Sequence, residues 1–376
     1  MRLGVNGWLL QGAPTGGRRY LSNLLVRWTS ALVDGRFDGV TVYSPRPVDR
    51  SVFPLPDGVR ERVVGPPARM LIWESARFGP VADDDVLFCP SYSRPLATRA
   101  ATVVAIHDAT SKMHPELYGR GQPLYNRLYG WSASRAELVL TSTDAARADI
   151  ARCWGVEPSK IRVVPLAAAD HFGVVSDREA VRRTTEQLLG WSQPYFLFVG
   201  KTSGRRRVPM LLEAFASFKE RGGARHRLVL AGPRPTFELE EHVGRLGLAE
   251  EVTHSGVVSD EDLNALYNGA DGVICPSVYE TVSLPIMEAQ ACGSPVVCVD
   301  APGSREITGG AAWFMPRLEL DHLVEAMSRL AAGDSLGAEL AAAGLENARR
   351  YSWSRTAAET LDVLAEAATL RSVARA

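Results

Sequence analysis

Short apolar runs recur along the chain and alternate with segments whose apolar residues fall at helical spacing. In the first half these runs predict strands at residues 3–6, 39–43, 86–88, 102–106, 138–141 and 161–164. A second set predicts strands at residues 195–199, 228–231, 252–257, 272–275 and 295–299. Alternating strands and helices are typical of βαβ units around a parallel sheet. We therefore expect an α/β fold whose ligand-binding loops gather at the carboxyl edge of each sheet.

The chain length and the region between the two sets of strands indicate a domain boundary. With 376 residues, the chain is longer than one ordinary domain. Residues 171–194 are charged, contain no strand-like run and include one helix-like segment at 177–189. We predict an N-terminal Rossmann-like domain over 1–175, a C-terminal one over 176–352, and a terminal helix within 353–376.

Composition narrows the class of protein. The hydrophobic share of 46% and the charged share of 23% are those of a soluble globular protein. A formal net charge of −1 argues against nucleic acid as a partner. The sequence has no apolar stretch of the ~20 residues that a spanning helix needs, and its first residues do not resemble a signal peptide. The 5 cysteines include no C-x-x-C pair, which favours reduced buried thiols in a cytoplasmic protein over disulfides or a metal site.

Residues 276–300 carry the most informative pattern. A strand-like run leads into a tight loop and a short helix, for which Ser283 is the expected N-cap, Pro285 lies in the first turn and Gly293 lies just past the end. The unpaired N–H groups of such a loop and the positive end of the helix dipole attract an anion.

Two carboxylates flank this predicted anion site. Glu280 precedes the helix and Glu288 lies within it. Because like charges repel, these side chains are expected to accept hydrogen bonds from hydroxyl groups rather than to bind phosphate. A diphosphate with a sugar on one side and a ribose on the other offers both features, so the pattern predicts a nucleotide-sugar site. The competing interpretation is a surface glutamate before a helix and a solvated one within it.

A concentrated positive loop follows the strand at 195–199. It contains Lys201 and three consecutive arginines, 205–207. Guanidinium groups can bind phosphate oxygens in a bidentate manner. A solvated run of charges explains the same residues, and that alternative stays open.

The first half of the chain offers weaker signals. Residues 12–20 form a glycine-bearing loop between a strand and a helix, yet they match neither G-x-G-x-x-G nor G-x-x-x-x-G-K-[ST], and a tight turn explains them equally well. His107 and Asp108 follow a predicted strand, where a lone histidine is often only structural. Lys112 and His114 lie just beyond as candidates for acceptor binding, which plain loop polarity explains as well.

The chain resembles the retaining glycosyltransferases of family 4, which have the GT-B fold. The family signature has two glutamates separated by seven residues, with Leu-Pro between them and Glu-Ala-x-Ala-Cys-Gly-x-Pro-Val-Val at its end. The matching residues are Glu280, Leu284-Pro285, Glu288-Ala289, Ala291-Cys292-Gly293 and Pro295-Val296-Val297. One departure is Thr281-Val282-Ser283, where the family has Gly-Phe-Gly. The change adds side-chain bulk near the donor and leaves the N–H groups of the loop in place.

The resemblance implies the fold and a role for each matching residue. It implies two Rossmann-like domains with parallel sheets facing across a cleft, and a C-terminal helix that crosses back to the first domain. The second domain is expected to bind the nucleotide-sugar donor, and the first most of the acceptor. The implied catalytic residues are His107, beside the donor sugar, and Glu280. The implied donor-binding residues are Gly16, Gly17, Lys201, Arg206, Gly232, Thr281, Val282, Ser283, Leu284 and Glu288. The register of the basic loop leaves open whether Arg205 or Arg207, rather than Arg206, has this donor-binding role.

The resulting hypothesis is a retaining hexosyl- or other glycosyltransferase that moves a sugar from a nucleotide diphosphate sugar to an acceptor hydroxyl. We expect no metal, because cationic side chains bind the diphosphate, and no cofactor beyond the donor. The alternatives are a nucleotide-sugar epimerase of the same fold and a non-catalytic nucleotide-sugar binding protein. An NAD-dependent dehydrogenase fits less well because its glycine fingerprint is absent. The base, the sugar, the acceptor, the oligomeric state and any peripheral membrane contact stay open.

Overall fold

The computed structural model describes residues 1–11, 16–33, 35–222, 225–235, 237–333 and 335–374, with backbone alone for 30–33. The chain divides into two compact units. Unit 1 consists of 1–166 together with 352–376, and unit 2 consists of 167–351. The division after Leu166 lies nine residues before the sequence-predicted boundary at 175/176.

Unit 1 is built on a seven-stranded parallel sheet with the strand order β3-β2-β1-β4-β5-β6-β7. Its strands are β1 (Arg2–Asn6), β2 (Gly39–Ser44), β3 (Val59–Val63), β4 (Val86–Cys89), β5 (Ala101–Ala105), β6 (Leu138–Thr141) and β7 (Ile161–Val163). The inner strands β4, β5 and β6 are buried at every residue, as their continuous apolar runs predict. Of these seven strands, only β3, an edge strand whose middle is Arg-Glu-Arg, was not predicted.

Helices cover both faces of this sheet. They are α1 (Gly16–Val33), α2 (Met70–Trp73), α3 (Gly79–Val81), α4 (Thr110–Met113), α5 (Gln122–Arg135), α6 (Asp144–Trp154) and, from the end of the chain, α15 (Trp353–Val373). A π-helical turn, Glu74–Phe78, joins α2 to α3. Helix α15 packs on α1 and on the sheet of unit 1; the indole of Trp28 donates to the carbonyl of Ala357 at 3.2 Å.

Unit 2 has a six-stranded parallel sheet with the order β10-β9-β8-β11-β12-β13. Its strands are β8 (Tyr195–Val199), β9 (Arg227–Ala231), β10 (Val252–Gly256), β11 (Gly272–Cys275), β12 (Val296–Val299) and β13 (Trp313–Met315). Its helices are α7 (Arg178–Leu189), α8 (Val208–Gly222), α9 (Leu239–Arg245), α10 (Asp260–Gly269), α11 (Leu284–Ala291), α12 (Pro302–Thr308), α13 (Leu320–Ala331) and α14 (Ser335–Ala348).

The alternation of side chains along β8 divides the core of unit 2 into two layers. Phe196 and Phe198 pack on one face of the sheet with residues of α8 and α13. Leu197 and Val199 pack on the other face with residues of α10 and α11. Both faces are apolar because helices cover both, so β8 reads as a continuous apolar run rather than as an alternating one.

No helix in the described part of the chain is long and apolar enough to cross a membrane. The five cysteines are free thiols, and all except Cys153 are buried. The two sheets bring the loops that follow their strands to one edge of each unit, where the predicted site residues lie.

Candidate functional site

The loop between β11 and α11 ends at a helix N-terminus that no side chain caps. Ser283 occupies the N-cap position with extended backbone angles, as predicted, yet its hydroxyl makes no capping hydrogen bond. The Ser283 Oγ atom is buried, and no partner for it lies within the described residues. Pro285 is in the first turn, and Gly293 follows the C-cap with φ at +73°. The first-turn amides therefore lack the side-chain acceptor that a serine N-cap normally supplies, which keeps this terminus suited to an anion.

Helix α12 fixes the position of the same loop through backbone contact. A Cβ atom on Gly303 would lie 2.4 Å from the carbonyl oxygen of Glu280 and 2.5 Å from the Cα atom of Thr281. Only glycine allows this approach. The backbone at Glu280 and Thr281 is therefore held by a neighbouring helix and not by the loop alone.

The basic loop after β8 is bound to Glu280. Arg205 Nη1 donates to Glu280 Oε2 at 2.6 Å and to the carbonyl oxygen of Tyr279 at 2.9 Å. Arg206 Nη2 lies 3.6 Å from Glu280 Oε1, and the hydroxyl of Ser277 donates to the same oxygen at 2.8 Å. One carboxylate thus orients two guanidinium groups and leaves the cluster with net positive charge.

Arg206 is largely withdrawn from solvent. Its side chain is 13% exposed, and its Nη1 atom is buried with no hydrogen-bond partner among the described residues. A buried charged donor without an acceptor is costly, and native structures rarely keep one unless a ligand supplies the acceptor. Arg206 is therefore the residue of this loop that is best placed to receive an anionic group.

Two glycines bring the ends of β8 and β9 together beside Arg206. Gly200 and Gly232 have φ values of +130° and +148°, and a Cβ atom on Gly232 would lie 2.4 Å from the carbonyl oxygen of Gly200. The guanidinium carbon of Arg206 lies 3.6 Å from the Cβ position of Gly200. Gly232 therefore lies close to the basic loop. Lys201 is exposed, and its side chain makes no hydrogen bond or ion pair within the described parts of the chain.

Glu288 is a buried carboxylate and not a solvated one. It is 2% exposed, and the hydroxyl of Tyr267 donates to its Oε2 atom at 2.9 Å. Burial and the neighbouring carboxylate raise the pKa of Tyr267 well above its ordinary value, so the phenol stays protonated as a donor. Thr281 and Ser283 are also buried, while Val282 and Leu284 are partly exposed on the loop and the start of α11.

In unit 1, His107 lies at the carboxyl end of β5 in an aromatic environment. Its ring stands edge-on to that of Tyr20 from α1, with the centroids 4.6 Å apart, and its Nδ1 atom lies 2.7 Å from the hydroxyl oxygen of Ser142. Burial lowers the pKa of His107 to about 4 even though Asp108 is adjacent. The imidazole is therefore neutral near pH 7, so its polar interactions are hydrogen bonds rather than ion pairs.

Tyr92 supports the His107–Asp108 segment, and no sequence pattern pointed to it. Its hydroxyl donates to Asp108 Oδ2 at 3.1 Å, and Asp108 Oδ1 accepts from the backbone N–H of Thr110 at 2.9 Å. Tyr92 adopts a φ of +67°, which is rare for a bulky residue and costs of order 1 kcal/mol. Such strain is typical of segments that a site holds in a fixed geometry.

The other predicted residues of unit 1 lie on two segments. Gly16 and Gly17 form the first turn of α1, the helix that carries Tyr20; the preceding residues 12–15 lie outside the described part. Lys112 is exposed in α4, and His114, just after α4, has its Nδ1 atom 3.2 Å from Glu116 Oε1. In the described ranges, no group of three or more His, Cys, Asp or Glu residues could hold a metal ion.

The architecture of the two units matches that of known GT-B glycosyltransferases. The solved structure of HepE from Anabaena in complex with UDP-glucose superposes with a TM-score of 0.74 at 18% identity, over 96% of this chain and 99% of that one. At this identity the similarity establishes the fold.

Sequence relatives identify the family. The O-antigen chain mannosyltransferase B of Escherichia coli is 29% identical over 266 residues, 69% of each chain. The D-inositol 3-phosphate glycosyltransferase of Actinosynnema mirum is 28% identical over 247 residues, which span 62% of this chain and 58% of that relative, less than two thirds of its length. The family model for a glycosyl transferase 4-like domain matches residues 15–167, and that for glycosyl transferases group 1 matches residues 193–333. The chain belongs to the group 1 glycosyl transferases, the family that its signature predicts, and is a glycosyltransferase.

Proposed function

We propose that this chain transfers a glycosyl group from a nucleotide diphosphate sugar to an acceptor hydroxyl, with retention of anomeric configuration and without a metal ion. The observation that carries the proposal is the buried Nη1 atom of Arg206, a charged donor with no acceptor among the described residues. It belongs to the same unit as the uncapped N-terminus of α11, and Glu280 connects the two features. A diphosphate would supply acceptors to both.

The chemistry follows from the charge that develops during the reaction. As the bond between the sugar and the diphosphate lengthens, negative charge grows on the departing phosphate oxygens. Arg206, supported by Arg205 and by the amides at the start of α11, would stabilise that charge, while exposed Lys201 would add long-range attraction. Cationic side chains then serve in place of a metal ion.

The buried carboxylates would position the donor. Glu288, whose Oε2 atom accepts from the hydroxyl of Tyr267, would also accept from a hydroxyl of the donor. Glu280 would orient both arginines and accept from the sugar. A neutral His107 would hydrogen-bond to the donor sugar, and Lys112 and His114 would contribute to acceptor binding. No residue in this scheme forms a covalent bond to the sugar.

The test is donor turnover with a matched pair of loop variants. Wild type, Arg206→Gln and Arg207→Gln would be assayed for release of nucleoside diphosphate from a panel of nucleotide sugars with a panel of glycan acceptors. Arg207 is exposed on the same loop, so its variant controls for the loss of one positive charge. We expect kcat/KM to fall by about 100-fold in Arg206→Gln and by less than about threefold in Arg207→Gln.

Product stereochemistry completes the test. The anomeric proton coupling of the product, measured by NMR, should match that of the donor sugar if the reaction proceeds with retention. An inverted product would refute retention. Equal losses in the two arginine variants would refute the role of Arg206, and the absence of turnover and of nucleotide binding across the panel would refute the proposed function.

A further inference from the structure

Helix α5 of unit 1 exposes apolar side chains and buries a polar one in its first half. Leu124 is 72% exposed and Tyr125 is 41% exposed, whereas Asn126 is 5% exposed. The hydroxyl of Ser111 donates to Asn126 Oδ1 at 2.7 Å, and Asn126 Nδ2 donates to the carbonyl oxygen of Ser111 at 2.9 Å. A surface helix of a globular protein normally shows the opposite pattern. The reversal indicates that this face of α5 is an interaction surface.

The outer face of α5 carries further apolar residues. Because successive helical residues are about 100° apart, Leu124, Leu128 and Trp131 lie on one face, away from the buried residues of the helix. Leu128 and Trp131 are partly exposed. Residues 118–121, just before the helix, are exposed and include Tyr118. Apolar side chains therefore extend from this turn along the outer face of α5.

Basic side chains surround these apolar residues. Residues 110–135 contain four Lys or Arg residues and one acidic residue, whereas the whole chain has a formal net charge of −1. Arg120 and Arg127 are exposed, and in the described parts of the chain neither side chain makes a hydrogen bond or an ion pair. The acidic residue, Glu116, lies 3.2 Å from the ring of His114. We use the name α5 surface for Tyr118, Arg120, Leu124, Tyr125 and Arg127.

We propose that the α5 surface binds a membrane surface rich in anionic lipid, with α5 lying in the plane of the headgroups. Leu124 would enter the boundary of the acyl chains, and the tyrosines would lie at the level of the headgroups. Arg120 and Arg127 would extend to the lipid phosphates. Leucine and aromatic residues on one face, with basic residues at its borders, are typical of helices that lie in an interface. This peripheral contact goes beyond the proposed transfer reaction and does not depend on it.

The distribution of charge favours a lipid surface over the other possible occupants. In a twofold contact with a second copy the same surface meets itself, so two positive surfaces would come together. A neutral glycan would contact the tyrosine rings but would leave Arg120 and Arg127 without a counter-charge. An anionic bilayer supplies phosphates to the guanidinium groups and an apolar layer to Leu124 at the same time.

Co-sedimentation with lipid vesicles tests this proposal. Vesicles of phosphatidylcholine alone would be compared with vesicles in which about a third of the lipid is phosphatidylglycerol. We expect wild type to bind the anionic vesicles more tightly than the neutral ones by about tenfold or more. High salt should release the protein, because it screens the attraction between exposed charges.

Two variants separate the apolar contribution from the charged one. Leu124→Gln should weaken vesicle binding by about tenfold, the effect of withholding one leucine from the apolar layer. Arg120→Gln combined with Arg127→Gln should weaken binding to the anionic vesicles by about tenfold or more and reduce its dependence on salt.

Each variant has a matched control in unit 2. Val257→Gln changes an apolar residue that is 66% exposed, and Arg225→Gln with Arg234→Gln removes two exposed positive charges. Both controls should bind vesicles as wild type does. Equal melting temperatures of all variants and wild type without lipid would show that the exposed substitutions leave the fold intact.

Failure of wild type to bind the anionic vesicles would overturn the proposal. Equal binding by wild type and both α5 variants would also overturn it, since the contact would then lie on another surface. Lipid-free dimers that Leu124→Gln dissociates, without vesicle binding, would assign the surface to a second copy. A higher KM for a soluble glycan acceptor in the α5 variants, with vesicle binding unchanged, would assign it to the acceptor. Because vesicle binding is measured without donor or turnover, failure of the proposed function is distinguished from failure of this inference.

Discussion

At the scale of single residues, the site depends on charged and polar side chains that are buried. Glu280 holds Arg205 and Arg206 in place, and Tyr267 fixes one oxygen of Glu288. Removing one partner of such a buried pair costs more than the pair contributes, since the other is left unpaired. These side chains therefore keep their geometry in the absence of ligand, which is what an electrostatically organised site requires.

The buried imidazole of His107 predicts a pH dependence of stability. Its pKa is lowered to about 4, below the ordinary 6.5. Above about pH 6.5 both the folded and unfolded states are neutral at this position and pH has no effect. As the pH falls below that value the unfolded chain takes up the proton first, so stability declines until about pH 4.

This dependence is measured by urea unfolding at pH 7 and at pH 4.5. Between the two values the wild type should lose about 2 kcal/mol more free energy of unfolding than His107→Gln, in which the group is absent. The difference between the two proteins isolates the histidine from other titrating groups. Parallel pH profiles would show that the imidazole is not held neutral by burial.

At the scale of elements, the loop before α11 takes its position from α12. Gly303 allows the backbone of α12 to meet that of residues 280 and 281. The arrangement couples the position of helix α12 to the placement of Glu280.

Gly303→Ala tests this coupling. The added methyl group would lie 2.4 Å from a backbone oxygen, so the loop or the helix must move. We expect a loss of about 1–3 kcal/mol in the free energy of unfolding and weaker nucleotide binding. Gly244→Ala in α9 is the control, because its Cβ position is open and alanine favours a helix by about 1 kcal/mol. If Gly303→Ala binds nucleotide and unfolds as wild type does, α12 does not position the loop.

The sequence predicts elements well where burial is continuous and poorly where it is not. The apolar runs of β4 to β6 and β8 were recognised because both of their faces are covered. The edge strand β3 was missed because its central residues are charged, and β13, only three residues long, gave too short a run. Spacing also located Ser283 at the N-cap, but it could not show that the hydroxyl makes no capping bond.

The same limit applies to the candidate site. The signature predicted Glu280 and Glu288 as site residues, and the charges after β8 predicted a phosphate-binding loop; the structure brings Arg206 of that loop and Glu280 together. The sequence could not reveal that Arg205 makes the closer contact to Glu280, because loop register is set in three dimensions. No sequence pattern identified Tyr92 as part of the site, since its role depends on a backbone angle that the sequence does not specify.

At the scale of the whole molecule, each unit gathers its chemistry at the carboxyl edge of a parallel sheet. Unit 2 carries the positive cluster and the uncapped helix, and unit 1 carries the neutral His107. This distribution of charge predicts that transfer needs no metal ion. Activity after dialysis against EDTA should stay within about twofold of the untreated enzyme, because guanidinium groups provide the stabilisation. An absolute requirement for added Mg²⁺ or Mn²⁺ would contradict that assignment.

The role of Arg206 and of the α11 N-terminus in diphosphate binding is tested most directly by a crystal structure with a bound nucleotide diphosphate sugar. We predict a phosphate oxygen about 3 Å from Arg206 Nη1 and the amides at the start of α11 directed at the same diphosphate. A diphosphate bound elsewhere, with Arg206 turned toward bulk solvent, would contradict it.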